Sequence, residues 1–132
     1  MKEITKLMVN QFKIKEIGYD FMGYKLQQGD IYNFHHLIIP NRYGGPESVW
    51  NGAILCGGTS HPYLHLIERI DYDKFCYITS EMIDMNLQGR LCVANIRHIH
   101  DVLKQFEKEH TTDRTRKDKL LIKRQYLERV KL

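Results

Sequence analysis

The stretch FHHLIIPNRYGGPESVWNGAILCGGTSHPYLHLIE, residues 34–68, holds four of the seven histidines of a 132-residue chain. His35 and His36 are adjacent and lie in an apolar, β-branched run over residues 31–39 that reads as a strand entering a loop. His61 and His65 are four apart. Thr59-Ser60 is a cap signal and Pro62 suits a first turn, so the pair is expected near the start of a helix and on one face of it. Asn51 stands between the two pairs, fifteen residues after His36 and ten before His61. Residues 41–50 carry Gly44-Gly45 and Pro46, the composition of a loop with Trp50 as its expected anchor, and residues 52–56 read as a short second strand.

Outward from this stretch, the length and a hydrophobic content of 42% predict one folded domain over residues 1–132. Residues 3–14 place Ile4, Leu7, Met8 and Phe12 at helical spacing. Phe21, Tyr24 and Leu26, followed by Gln27-Gln28-Gly29-Asp30, are expected to form a hairpin that leads into the strand of the doublet. The helix of His61 and His65 is predicted to continue to about residue 70 with Leu64, Ile67 and Ile70 on its core side. Asp71 or Asp73 caps a further helix that breaks at residues 86–89, and residues 91–109 carry the longest helical pattern. His98 and His100, two apart, point to different faces of that helix and are surface or structural residues.

Charge is unevenly placed. The chain sums to +4, yet residues 112–131 hold eight basic and three acidic side chains, or +5. Such asymmetry is either a solvated helix face or a tail contacting a polyanion, and residues 112–132 read as a basic amphipathic helix or a tail that orders on binding. No secretory leader and no span of about 20 apolar residues is visible, so a cytoplasmic protein without membrane association is expected. The three cysteines, Cys56, Cys76 and Cys92, include no CxxC pair; they read as buried apolar residues, and neither a disulfide framework nor a structural zinc is expected.

The doublet, the following Ile39-Pro40, the Gly pair, Asn51 and the spaced pair His61 and His65 occur in an order that resembles the HNH endonuclease motif of the His-His subtype, as in colicin-type nucleases. The resemblance covers roughly 35 of the 132 residues. It implies an α+β fold with a ββα-metal core and flanking helices. It implies His35, His61 and His65 as ligands of one divalent metal ion, His36 as general base, and Asn51 as the residue that hydrogen-bonds across the loop and fixes the base. It also implies hydrolysis of nucleic acid to a 5′ phosphate and a 3′ hydroxyl. Asn33 stands two before the doublet, where some relatives hold an acidic group, and Gly52 follows Asn51, where an apolar residue is usual.

Chemistry supports this assignment. A neutral imidazole accepts a proton at physiological pH, and a cation near the phosphate answers the charge of the transition state. Three imidazoles suit Zn, Ni or Mn better than Mg, which prefers oxygen. Arg42 is a candidate phosphate clamp, and Arg114, Arg116, Lys117, Lys119, Lys123 and Arg124 would hold the nucleic-acid backbone without reading sequence. The expected function is therefore a metal-dependent endonuclease of phage or mobile-element type, DNA favoured over RNA as the partner. The alternative is a non-catalytic module of the same fold that binds nucleic acid or a protein partner, as a phage inhibitor would; a toxin nuclease is a third reading.

Overall fold

A computed structural model describes residues 1–110 and 115–132. Six helices surround a two-stranded antiparallel sheet, a mixed α+β architecture. The order is α1 (Glu3–Gln11), α2 (Ile14–Ile17), β1 (Tyr32–His36), β2 (Gly52–Cys56), α3 (Ser60–Ile70), α4 (Tyr72–Gln88), α5 (Val93–Glu109) and α6 (Arg116–Leu127). None of the described helices is long and apolar enough to cross a membrane.

β2, of sequence GAILC, is buried at all five positions, because α1, α3 and α4 pack against it. This is why its apolar run does not alternate. It pairs with β1 in the register Tyr32 to Cys56 and His36 to Gly52. Ile54, Leu55, Leu64, Ile67, Ile78, Met82, Ile96 and Phe106 form the centre of the core. Asp71 joins α3 to α4 and caps α4 by accepting from Lys74 N–H at 3.3 Å. Gly89 in the left-handed conformation ends α4, as the sequence suggests.

Several expectations are corrected. The N-terminal helical pattern breaks at Lys13, whose φ of 55° separates α1 from α2. The expected turn over residues 27–30 is present, Asp30 N–H donating to Gln27 C=O at 3.1 Å, but residues 21–26 do not pair with β1, whose partner is β2. Residues 19–25 instead make a compact turn around Asp20, which is wholly buried. Its Oδ1 accepts from the N–H groups of Met22 (2.9 Å) and Tyr24 (3.1 Å), and its Oδ2 from that of Cys56 (2.9 Å). Burial raises the carboxyl's pKa, and these hydrogen bonds oppose the rise. Thr59 precedes α3 without a side-chain cap bond, while Ser60 donates to Gln125 on α6 at 3.3 Å. Trp50, expected as a loop anchor, is 48% exposed and is not a buried anchor. Cys56 is buried as expected, Cys92 half-buried, and Cys76 exposed on α4.

The basic C-terminal segment is helical over α6 and is fastened at and beyond the last turn of that helix. Arg124 donates to Tyr24 Oη at 3.1 Å and pairs with Asp30 at 3.3 Å. Beyond the helix, Lys25 N–H donates to Glu128 C=O (2.7 Å) and Val130 N–H to Gly23 C=O (2.9 Å). The buried Arg129 meets Glu107 of α5 at 2.5 Å, and the same carboxylate accepts from Tyr63 of α3, also at 2.5 Å. His98 is exposed beside Glu81, and His100 is buried against Met22 C=O at 3.1 Å, so the two do face apart.

Gly23 has a φ of +74°, and a Cβ there would collide with the His100 ring and Ile96. Gly23→Ala is expected to lower unfolding free energy by about 2–4 kcal/mol, from the left-handed strain plus overpacking. A fall in the urea midpoint without a change in slope checks it.

Candidate metal centre

β1 ends at His36, and the chain then makes a loop over residues 37–48 before a 3-10 turn at Val49–Asn51 returns it to β2. Such a loop has few backbone partners of its own, and Asn51 supplies them. Its side chain is wholly buried. Oδ1 accepts from Ile38 and Ile39 N–H, both at 2.9 Å, while Nδ2 donates to Ile39 C=O at 3.0 Å and Pro46 C=O at 3.1 Å. Its backbone C=O also accepts from Leu37 N–H at 2.8 Å. From the other side, Asn86 of α4 donates to Val49 C=O and Gly52 C=O at 2.7 Å each. Gly45 lies so close to Ile39 C=O that no side chain fits.

The loop thus held frames a cleft of about 690 Å³ that His35, His36, His61 and His65 line together. His35 is 5% exposed. Its ring centroid lies 5.3 Å from that of His61 and 5.4 Å from that of His65. His61 and His65 bring their Nε2 atoms to 3.1 Å. The three residues each offer a nitrogen within 4.8 Å of the others. Tetrahedral coordination at Zn–N distances of about 2.0–2.1 Å sets neighbouring nitrogens about 3.3 Å apart, so closing this cluster on one cation needs only small side-chain rotation.

Electrostatics point the same way. Burial, then His61, His65 and His36, pushes His35 down to about 3. Burial, then His65 and His36, takes His61 to about 4. Both rings are therefore neutral and hold a free lone pair at pH 7, the form a metal requires. His35 Nε2 is enclosed with no hydrogen-bond partner, a state costing about 1–3 kcal/mol unless a ligand satisfies it. Supporting groups stand behind the other two rings. Glu68 lies 3.1 Å from His65 Nδ1, and a proton on that atom leaves Nε2 free as a ligand. Asn33 lies 2.9 Å from His61 Nδ1. A carboxamide can present either its nitrogen or its oxygen there, so Asn33 supports His61 in either tautomer.

His36 lines the same cleft but is not one of the three clustered rings; its ring lies edge-on to Phe34 at 5.0 Å between centroids, and its Nε2 is enclosed and unpartnered. Arg42, exposed on a 3-10 turn (Asn41–Tyr43), lines the same cleft, its guanidinium 5.0 Å from the Tyr43 ring.

No protein-family model, curated protein or solved structure matches this chain.

The other expected binding residues divide into groups. Lys117 and Arg124 line a cleft between α3 and α6 that also contains His65, whereas Lys119 and Lys123 face a different hollow with Lys104 and Lys108. Arg116 is exposed at the start of α6, and Arg114 lies outside the described residues. A second group that could hold a cation, Asp71, Glu109 and His110, already has one: Lys74 Nζ sits 2.9 Å from both carboxylates. Asn33, Glu68 and Asp20 carry no role in the sequence reading. Glu68, three residues beyond His65 on the same helix, could have been found from the helical period.

Because His35 and His61 resist protonation when folded, the unfolded chain takes up protons near pH 6.5 that the native chain refuses until about 3 to 4. Stability of the metal-free protein is then intact above pH 6.5 and falls as pH drops towards 4. The melting temperature should decline by at least about 5 °C over that window. Zn or Ni at pH 7 should raise it, and His35→Ala or His65→Ala should remove most of that rise in the same thermal scans. Asn51→Ala leaves four backbone groups of the loop unpaired and should cost about 2–4 kcal/mol in chemical unfolding.

Proposed function

We propose that this chain is a metal-dependent endonuclease of HNH type that hydrolyses phosphodiester bonds in nucleic acid, DNA favoured over RNA, and that β1, β2 and α3 are its ββα-metal element. The observation that carries the reading is the convergence of His35 from a strand with His61 and His65 from a helix, beside a fourth histidine lining the same cleft. Asn51 adds support, since its hydrogen bonds cross the loop as the HNH resemblance requires of that asparagine.

His35, His61 and His65 would hold the cation, and three nitrogens without a carboxylate favour Zn, Ni or Mn over Mg. A divalent ion bound there supplies Lewis-acid polarisation of the phosphate and answers its developing negative charge. His36 is the general base. Its enclosed Nε2 leaves Nδ1 to take the proton of the attacking water. Asn51 holds the backbone of residues 38 and 39 and so fixes where the strand ends and His36 begins to turn. Arg42, at the rim, binds the phosphate through its fork of N–H groups.

The deciding assay is cleavage of labelled duplex DNA, single-stranded DNA and RNA with Zn, Ni, Mn or Mg, beside an EDTA control. Metal-dependent cutting is expected, with His36→Ala reducing turnover by about 10²–10⁴-fold while metal affinity holds. Cutting that survives unchanged in His36→Ala, or no cutting with any metal and substrate, would overturn the proposal.

A further inference from the structure

His65 belongs to two clefts. One is the central cleft it shares with His36 and Arg42. The other, of about 660 Å³, opens between α3 and α6 and is lined by Arg69, Lys117 and Arg124. Along α3, the residues at 61, 65 and 69 recur every four positions on one face. At about 1.5 Å rise per residue that is roughly 6 Å per step, so Arg69 stands one helical turn beyond the outer histidine.

The second cleft is electropositive for three separate reasons. Arg69 is exposed and, like Lys117, forms no ion pair among the described residues. The first turn of α6, whose Asp118 N–H is capped by Thr115 Oγ1 at 3.1 Å, brings the positive end of its dipole to the same wall that Lys117 occupies. The sole carboxylate on the lining is Asp118, while Arg124 is shared with Tyr24 and Asp30. The cleft that His61 borders on its other side carries lysines but no arginine: Lys15 lines it with Asp30 and two glutamines, and its Lys2 is paired with Glu47 at 2.6 Å. Guanidinium groups, which bind phosphate through two parallel N–H donors, line only the α3–α6 cleft of these two.

We infer that a nucleic-acid strand leaves the metal centre through the α3–α6 cleft, where Arg69 and Lys117 hold the backbone phosphates next to the one at the histidines. The inference rests on the nucleic-acid reading above and gives the substrate a direction. Arg69 becomes a binding residue, and the two lysines on the far side of α6, Lys119 and Lys123, lie off the path.

The test is fluorescence anisotropy of labelled single-stranded and duplex oligonucleotides over a salt series. Every variant is made in the His36→Ala background of the full chain loaded with Zn, so that cutting does not intervene. Arg69→Ala and Lys117→Ala are each expected to weaken binding about three- to tenfold and to lower the slope of log K against log salt by about 0.7–0.9. Arg69→Lys should restore most of that slope, Lys119→Ala should leave it unchanged, and Zn affinity should be the same throughout. Which oligonucleotide loses more affinity identifies the strand form that occupies the cleft.

A wild-type slope in both Arg69→Ala and Lys117→Ala would overturn the path while leaving the nuclease reading to its own assay. Slopes that depend on Arg69 in a protein that never cuts would uphold the path and remove the nuclease. No binding of either oligonucleotide would remove both.

Discussion

One buried carboxamide carries the geometry of this site. The two strands are joined by a long connection instead of a tight turn, and nothing in a two-stranded ladder dictates how such a connection folds. Asn51 fills both acceptor sites of its oxygen and both donor sites of its nitrogen with backbone of that connection. That side chain pins residues 38 and 39 just beyond the end of β1, and so fixes the backbone that follows the two adjacent histidines. Asn86 closes the arrangement from α4, so the loop is gripped by two side-chain amides from opposite sides.

α3 then serves two environments. Its outer face presents His61 and His65 to the cleft, and its inner face buries Tyr63, Leu64 and Ile67. Tyr63 donates to Glu107, which is also paired with Arg129. A buried carboxylate with a charged partner and a phenolic donor is satisfied, whereas removing any one member would strand the rest in a low-dielectric interior. The helix bearing the histidines is therefore oriented by polar contacts on the side away from them. Asp20 contributes similarly at the end of β2, where its carboxylate ties the 19–25 turn to Cys56.

The sequence disclosed those features that are local. The i,i+4 histidines, the Gly89 stop, the Asp71 cap and the helical period of α5 depend on neighbours within a turn or two, and all are present. Asn51 was legible as a candidate because it stands between the two histidine pairs, fifteen residues after one and ten before the other. What escaped was set by partners distant in the chain. Phe21 and Tyr24 have strand-like character, yet Phe21 N–H donates to Ile54 C=O of β2, Tyr24 N–H to Asp20, and the flanking Gly23 and Lys25 pair with residues 130 and 128, so the segment does not pair with β1. Trp50, the largest apolar side chain of the loop, suggested an anchor, but two amides already hold the loop and the indole stays outside. The basic face of α6 looked uniform in sequence, and only its packing on α3 separates Lys117 and Arg124 from Lys119 and Lys123.

The short backbone ladder between residues 23–25 and 128–130 gives the molecule an unusual mechanical character. Segments more than a hundred positions apart are clasped together, and the clasp holds Arg129 in place against Glu107. The far end of the chain therefore cannot fray as an independent tail. Losing it would free Glu107, then Tyr63, then the back of the histidine-bearing helix. Local opening at the periphery is thereby converted into loss of the whole constellation, so occupancy of the histidine cluster would report the integrity of the fold as a unit.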